Sequence, residues 1–191
     1  EYNLDLVRLI GAEADDKSLC ISTDDSLTGR FLKEHGVTAD SDPVALHAWT
    51  SDPLKQWPKE RFLGLAKLIC AEKNIKLILI GGRDFKEESE KLFSSLGNSI
   101  IDLTGKTSLK QLAALLKRCK LLVSADSGPV HLACCVGTPV IAIFRNDLPG
   151  KTPKRWGPYG RGAVVIERGD LSDISVDEVF AKVKERLKEA I

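Results

Sequence analysis

With 191 residues, the chain is long enough for one domain and an appendage, and at 43% hydrophobic and 29% charged it has an ordinary globular composition. A net charge of +1 gives no indication of a nucleic-acid partner, which requires a clustered basic surface. No signal peptide is visible in these residues. They contain no apolar run of about 18 residues, so no transmembrane helix is predicted.

The cysteine and methionine content bears on the cellular compartment and on the extent of the chain. The five cysteines include no C-x-x-C pair, and their odd number argues against both a disulfide framework and a zinc site. A reducing, cytoplasmic compartment fits this pattern. The chain has no methionine, even at position 1, which predicts a piece of a longer gene product.

Two regions differ in their predicted elements. Residues 1–41 predict too few elements for a separate core, namely helices over 2–10 and 26–35 and a brief strand over 19–22. In residues 42–191, strands are predicted over 44–48, 76–80, 100–103, 121–124, 139–144 and 163–167, and helices over 58–72, 86–96, 109–119, 131–136 and 175–190. This alternation predicts an α/β fold with a doubly wound, parallel, Rossmann-like sheet.

The most informative segment, 124–133, joins a buried strand to a helix through a polar turn. Asp126 or Ser127 is suited to cap the helix, and Gly128 lets the backbone approach a ligand. Free N–H groups and the positive end of the helix dipole face an anion there, most naturally a phosphate. His131 lies within side-chain reach of the same point. The alternative is a plain helix cap, which leaves the histidine unexplained.

Three more loops follow predicted strands and should share the same sheet edge. In the first, Lys55 precedes a helix and is placed to meet phosphate oxygens, while Thr50 and Ser51 add hydroxyl donors. The alternative is that Lys55 is a solvated loop lysine. The second loop, 81–88, combines paired glycines with acids that suit either ribose hydroxyls or a helix dipole. In the third, Ser108 is predicted to cap the next helix.

Taken together, these motifs resemble a known family. The segments HAWTSDPLKQWP, LIGG, DLTGKTSLKQLAALLKRCKLLVSADSGPVHLACCVGTPVIAIF and RWGPYG are similar to the carboxyl-terminal domain of glycosyltransferase family 9, the ADP-heptose:lipopolysaccharide heptosyltransferases. The resemblance covers about residues 42–160. It implies the donor-binding half of a two-domain GT-B enzyme, with residues 1–41 as the interdomain linker and its flanking elements.

The resemblance also implies roles for individual residues. Lys55 matches the lysine that meets the donor diphosphate and supports the transition state. The other donor-binding positions carried over are Thr50, Ser51, Glu87, Asp126, Ser127, Gly128 and His131, the last four in an Asp-Ser/Thr-Gly-x-x-His turn. No metal ligand is implied, and the catalytic base is expected in an amino-terminal acceptor domain outside this chain. Phe144-Arg145-Asn146-Asp147 stands where many members have Phe-Gly-Pro-Thr, which leaves the donor sugar open.

The implied activity is transfer of heptose from ADP-heptose, or a similar nucleotide sugar, to the lipopolysaccharide inner core. The reaction would be inverting and metal-independent, without a cofactor, and this chain alone would be inactive. The partners would be the donor and, through the other domain, a lipid-linked saccharide, at the inner face of the cytoplasmic membrane. The alternatives are a GT-B epimerase or phosphorylase using another nucleotide sugar, and a non-catalytic nucleotide-binding module.

Overall fold

The computed structural model of the protein describes residues 8, 11, 21–23, 25–38, 42–72, 75–160 and 162–189. Except for residue 8, the predicted helix over 2–10 lies outside these residues, as do residues 19 and 20 of the predicted strand over 19–22. Residues 21 and 22 of that predicted strand are not in a strand. The described strands are β1 (Asp42–His47), β2 (Ile75–Leu79), β3 (Ile100–Asp102), β4 (Leu121–Ala125), β5 (Val140–Arg145) and β6 (Ala163–Arg168). The described α-helices are α1 (Asp25–Glu34), α2 (Lys59–Ala71), α3 (Lys86–Leu92), α4 (Leu109–Arg118), α5 (Gly128–Cys135), α6 (Pro153–Trp156) and α7 (Val176–Glu189).

The six strands form one parallel sheet in the order β3-β2-β1-β4-β5-β6. This confirms the predicted doubly wound α/β fold. The chain builds outward from β1 to β3 on one side and then restarts at β4 on the other side of β1. The carboxyl ends of β1 and β4 therefore flank the topological switch point, where ligands bind in open α/β sheets.

Helices cover both faces of the sheet, so almost all residues of the central strands β1, β4 and β5 are buried. On one face, Val44 and Leu46 of β1 pack with residues of α2 and α7, including Phe62 and Val179. On the other face, Ala45 packs with residues of α1, α4 and α5. Apolar side chains on both faces explain why the strands read as continuous apolar runs rather than as alternating ones.

Two helix boundaries differ from the prediction by more than one residue. The helix predicted over 131–136 begins three residues earlier, at Gly128, because Pro129 stands in its first turn, where a missing N–H group costs nothing. The helix predicted over 86–96 ends at Leu92 and is followed by a 3-10 segment, Ser94–Ser99. Gly97 there has φ +47°, which a continuing α-helix does not accommodate.

The amino-terminal part of the described chain is not separate from this core. Helix α1 ends before Gly36, which has φ +77°, as a helix C-terminus favours. Leu32 and Val37 are fully or almost fully buried in the apolar layer that also contains Leu115. None of the described helices is both long enough and apolar enough to cross a membrane.

Candidate functional site

A cavity of about 250 Å³ lies at the carboxyl ends of β1 and β4, at the switch point of the sheet. Its walls come from the loop after β1, the turn into α5, and α6. The lining residues are Thr50, Ser51, Asp52, Lys55, Asp126, Ser127, Gly128, His131 and Trp156. Most of them carry a hydroxyl, an amine, an imidazole or a carboxylate, so the cavity suits a polar ligand.

An ion pair joins the two main walls of the cavity. Lys55 ends a short 3-10 turn, Pro53–Lys55, and its Nζ lies 2.6 Å from Oδ2 of Asp126. The lysine side chain is 19% exposed and the carboxylate only 6% exposed. An ammonium group held this way stays at the cavity wall without losing further rotamer entropy when a ligand arrives.

The start of α5 lacks a side-chain cap. Ser127 occupies the N-cap position, but its side chain makes no capping hydrogen bond, and Asp126 is paired with Lys55 instead. Ser127 is thus the N-cap residue, as predicted, but neither its side chain nor that of Asp126 supplies the hydrogen bond of a cap. Helix ends normally satisfy their first N–H groups with such an acceptor, and an anion in the cavity can take its place.

A buried histidine lies directly behind this turn. His47, the last residue of β1, is 6% exposed, and burial lowers its pKa to about 4. Its imidazole is therefore neutral near pH 7, with one protonated ring nitrogen. Nδ1 is 3.0 Å from Oγ of Ser127 and 3.2 Å from Oγ of Ser124. The histidine thus contacts a residue that lines the cavity.

The loop after β5 forms the rim of the cavity. Lys151 Nζ lies 2.8 Å from Oδ2 of Asp52, which ties this loop to the one after β1 and holds the pKa of Asp52 below its usual value. Trp156 is 46% exposed, and its Nε1 donates to the carbonyl of Gly150 at 2.8 Å. The rim therefore presents an exposed aromatic ring to a ligand in the cavity.

The segment that departs from the common Phe-Gly-Pro-Thr pattern forms its own ion pair. Arg145 donates from Nε and Nη2 to the two carboxylate oxygens of Asp147, at 2.9 and 2.6 Å. This bidentate contact lowers the pKa of the Asp147 carboxyl. Neither side chain is among those that line the cavity.

The structure brings together seven of the eight residues that the sequence singled out as donor-binding. Thr50, Ser51 and Lys55 face Asp126, Ser127, Gly128 and His131 across the cavity. Glu87 does not join them; it is exposed in the first turn of α3, beyond β2. The second and third loops do lie at the same sheet edge, but they contribute no lining residue. The predicted capping by Ser108 is confirmed, since its side chain and that of Gln111 form a capping box.

The sequence did not single out three residues that the structure associates with the cavity. Asp52 and Trp156 lie within motifs that carried the resemblance, but no chemical pattern distinguished them from their neighbours. His47 was placed within a buried strand. Among the described residues, no group of three or more histidine, cysteine, aspartate or glutamate side chains could hold a metal ion.

Comparisons with known proteins find similar sequences and similar folds. The chain is 30% identical over 162 residues to lipopolysaccharide heptosyltransferase 1 of Escherichia coli K12, covering 84% of this chain and 49% of that protein. A crystal structure of a family 9 glycosyl transferase from Veillonella parvula matches with a TM-score of 0.84 and 25% identity, over 97% of this chain and 58% of that one. The E. coli heptosyltransferase WaaC with ADP matches with a TM-score of 0.70 and 23% identity, over 92% and 52%.

The chain spans about half the length of the curated relatives it matches. The sequence model of Glycosyltransferase family 9 (heptosyltransferase) matches residues 11–181, which is most of the chain. The match includes both walls of the cavity and the whole sheet. The chain therefore belongs to glycosyltransferase family 9.

Proposed function

We propose that this chain is the donor-binding half of a GT-B heptosyltransferase that uses ADP-heptose or a similar nucleotide sugar. The observation that carries the proposal is the cavity at the switch point, where Lys55 and the uncapped start of α5 meet. One wall supplies an ammonium group and the other supplies helix N–H groups. Both favour the diphosphate of a nucleotide sugar.

The residues have distinct roles in this proposal. Lys55 donates to diphosphate oxygens, with Asp126 holding its ammonium group in place. Thr50, Ser51 and His131 supply further hydrogen bonds around the phosphates and the adjacent sugar. Gly128 is exposed at the turn, and a Cβ atom there would meet nothing within 4 Å, so the backbone is open to a ligand. Glu87 remains a candidate to bind the nucleoside. A ligand would contact Glu87 only if it extended from the cavity towards β2.

The proposed chemistry is a direct, inverting displacement. A deprotonated acceptor hydroxyl attacks the anomeric carbon while the bond to the diphosphate breaks and ADP leaves. Negative charge grows on the leaving diphosphate, so Lys55 and the start of α5 stabilise the transition state more than the ground state. In this account no metal ion is needed, because these groups neutralise the leaving charge.

We assign acceptor binding and proton abstraction to a part of the enzyme that this chain does not contain. We assign the acceptor, a lipid-linked saccharide of the lipopolysaccharide inner core, and the catalytic base to an amino-terminal domain. Residues 1–41 would link that domain to the one formed by 42–191. Such an enzyme would work in the cytoplasm, at the inner face of the cytoplasmic membrane where its acceptor is embedded.

Calorimetric titration of the chain with ADP, UDP, GDP and ADP-heptose tests the proposal. We expect ADP to bind more tightly than UDP or GDP, and ADP-heptose to bind at least as tightly as ADP. Preference for another base would favour a GT-B epimerase or phosphorylase with a different donor. Failure of every nucleotide to bind would overturn the proposal.

A further inference from the structure

A cluster of hydroxyl groups surrounds His47 behind the cavity, and the proposed chemistry does not use it. Nδ1 of His47 lies 3.0 Å from Ser127 Oγ and 3.2 Å from Ser124 Oγ. Both hydroxyl groups also reach the carbonyl of Ala125, at 2.7 Å from Ser124 and 3.1 Å from Ser127. Ser124 and Ala125 are completely buried, whereas Ser127 lines the cavity.

The imidazole tautomer decides whether Nδ1, which faces the two hydroxyl groups, acts as a hydrogen-bond donor or as an acceptor. If the proton is on Nε2, then Nδ1 and the Ala125 carbonyl are two acceptors for the two hydroxyl protons of Ser124 and Ser127. Any donation from Ser127 to a ligand then leaves one acceptor unsatisfied. Since a buried acceptor without a partner is costly, this tautomer discourages Ser127 from binding an anion.

The other tautomer gives the opposite result. With the proton on Nδ1, the imidazole donates to Ser127 Oγ, and Ser124 donates to the Ala125 carbonyl. The Ser127 hydroxyl proton is then free to point into the cavity. A hydroxyl that accepts one hydrogen bond is also polarised to donate another more strongly.

We propose that His47 is a positioning residue of the donor site, which donates from Nδ1 to Ser127 Oγ and so directs the Ser127 hydroxyl to an anionic oxygen of the bound diphosphate. The inference rests on the proposed function, because it needs an anion in the cavity. His47 itself touches no ligand. It acts through Ser127, and its burial keeps it neutral. His47 therefore orients the Ser127 hydroxyl and adds no positive charge to the site.

Nitrogen-15 NMR of the histidine side chains tests this in the unsubstituted chain. The sequence has three histidines, and the signals of His47 are those lost in a His47→Asn variant. In the complex saturated with ADP, we expect the proton of His47 on Nδ1. A proton on Nε2 in that complex would overturn the proposal, whatever the effect of any substitution.

A double-mutant cycle in ADP titrations gives an independent readout. We expect His47→Leu to weaken ADP binding about threefold to tenfold, the contribution of one hydrogen bond. In a Ser127→Ala background the same substitution should have no further effect. His47→Asn, whose amide can place a donor near the position of Nδ1, should restore most of the affinity.

The matched control is His35→Leu. The Nδ1 atom of His35 is hydrogen-bonded to the carbonyl of Phe31, and His35 does not line the cavity. It should leave ADP affinity unchanged. Equal losses from His47→Leu with and without the Ser127 hydroxyl would overturn the positioning role and leave the proposed function intact. Absence of ADP binding by the unsubstituted chain would overturn both.

Discussion

Replacing Lys55 by alanine removes the only ammonium group among the residues that line the cavity. The lysine is 19% exposed, so it acts in a partly desolvated place rather than in bulk water. Without it, a diphosphate would meet the carboxylate of Asp126 with no cation between them. We therefore expect Lys55→Ala to weaken ADP binding by much more than the loss of a surface charge.

The magnitude follows from the kind of contact that is lost. A hydrogen bond to a charged group contributes about 1.5–3 kcal/mol, which corresponds to about 13- to 160-fold in the dissociation constant. The matched control is Lys59→Ala. Lys59 forms an ion pair with Glu88, is 36% exposed and does not line the cavity. Surface substitutions of this kind change free energies by about 0.5 kcal/mol or less, which is about twofold.

Isothermal titration calorimetry with ADP measures both variants at one ionic strength, because charge effects are screened by salt. Thermal melts of the unliganded variants check that each remains folded at the titration temperature. Equal losses of affinity in Lys55→Ala and Lys59→Ala would show that Lys55 makes no specific contact with the diphosphate. They would mean that Lys55 contributes only general positive charge.

Four further substitutions and one activity measurement test the other roles assigned to this chain. His131→Ala should weaken ADP binding about fivefold in calorimetry, while thermal melts of the unliganded chain shift by no more than about 2 °C. A large drop in melting temperature with unchanged affinity would mean that His131 packs in the core and does not bind the ligand. Burial lowers the pKa of His47 from 6.5 to about 4, so between these pH values the unfolded chain binds a proton that the folded chain does not. The free energy of unfolding should therefore fall by about 3 kcal/mol from pH 7 to pH 4 through this group. Urea unfolding of His47→Asn should lack that part of the pH dependence. Gly81→Ala should destabilise the fold by about 1–3 kcal/mol in urea unfolding, because a Cβ atom there would lie 2.5 Å from a ring carbon of Trp49. The control Gly82→Ala should be neutral, because the nearest atom to its Cβ would be 3.8 Å away. The purified chain should transfer no sugar to a lipid A–core acceptor, and measurable turnover would contradict the proposed division of the enzyme.

The sequence predicted the sheet well because its signals are local. Each central strand is a short apolar run, and helices such as the one predicted over 58–72 carry apolar residues at helical spacing. The errors fall where side chains give ambiguous local signals. Asp126 and Ser127 are good capping residues in isolation, yet tertiary partners 71 and 80 residues away engage their side chains instead.

The site was predictable to the extent that its residues lie in loops at strand ends. Lys55 stood out because it precedes a helix at the end of a strand, and His131 because a titratable residue is unusual in a mostly apolar helix. His47 did not stand out, because a histidine at the end of an apolar strand gives no sign of which hydroxyl groups pack against it. Trp156 lies in α6, and the segment before this helix meets the loop after β1 through a long-range contact between Lys151 and Asp52, which no local pattern indicates.

The central claim is that the diphosphate of a nucleotide sugar binds at the switch point of the sheet. Backbone amide chemical shifts followed during titration with ADP test it most directly, since they report the position of the ligand residue by residue. We expect the largest changes in residues 50–55 and 126–131, the two walls that Lys55 and Asp126 join. Saturable binding with its largest changes elsewhere, while these two segments stay unchanged, would contradict it.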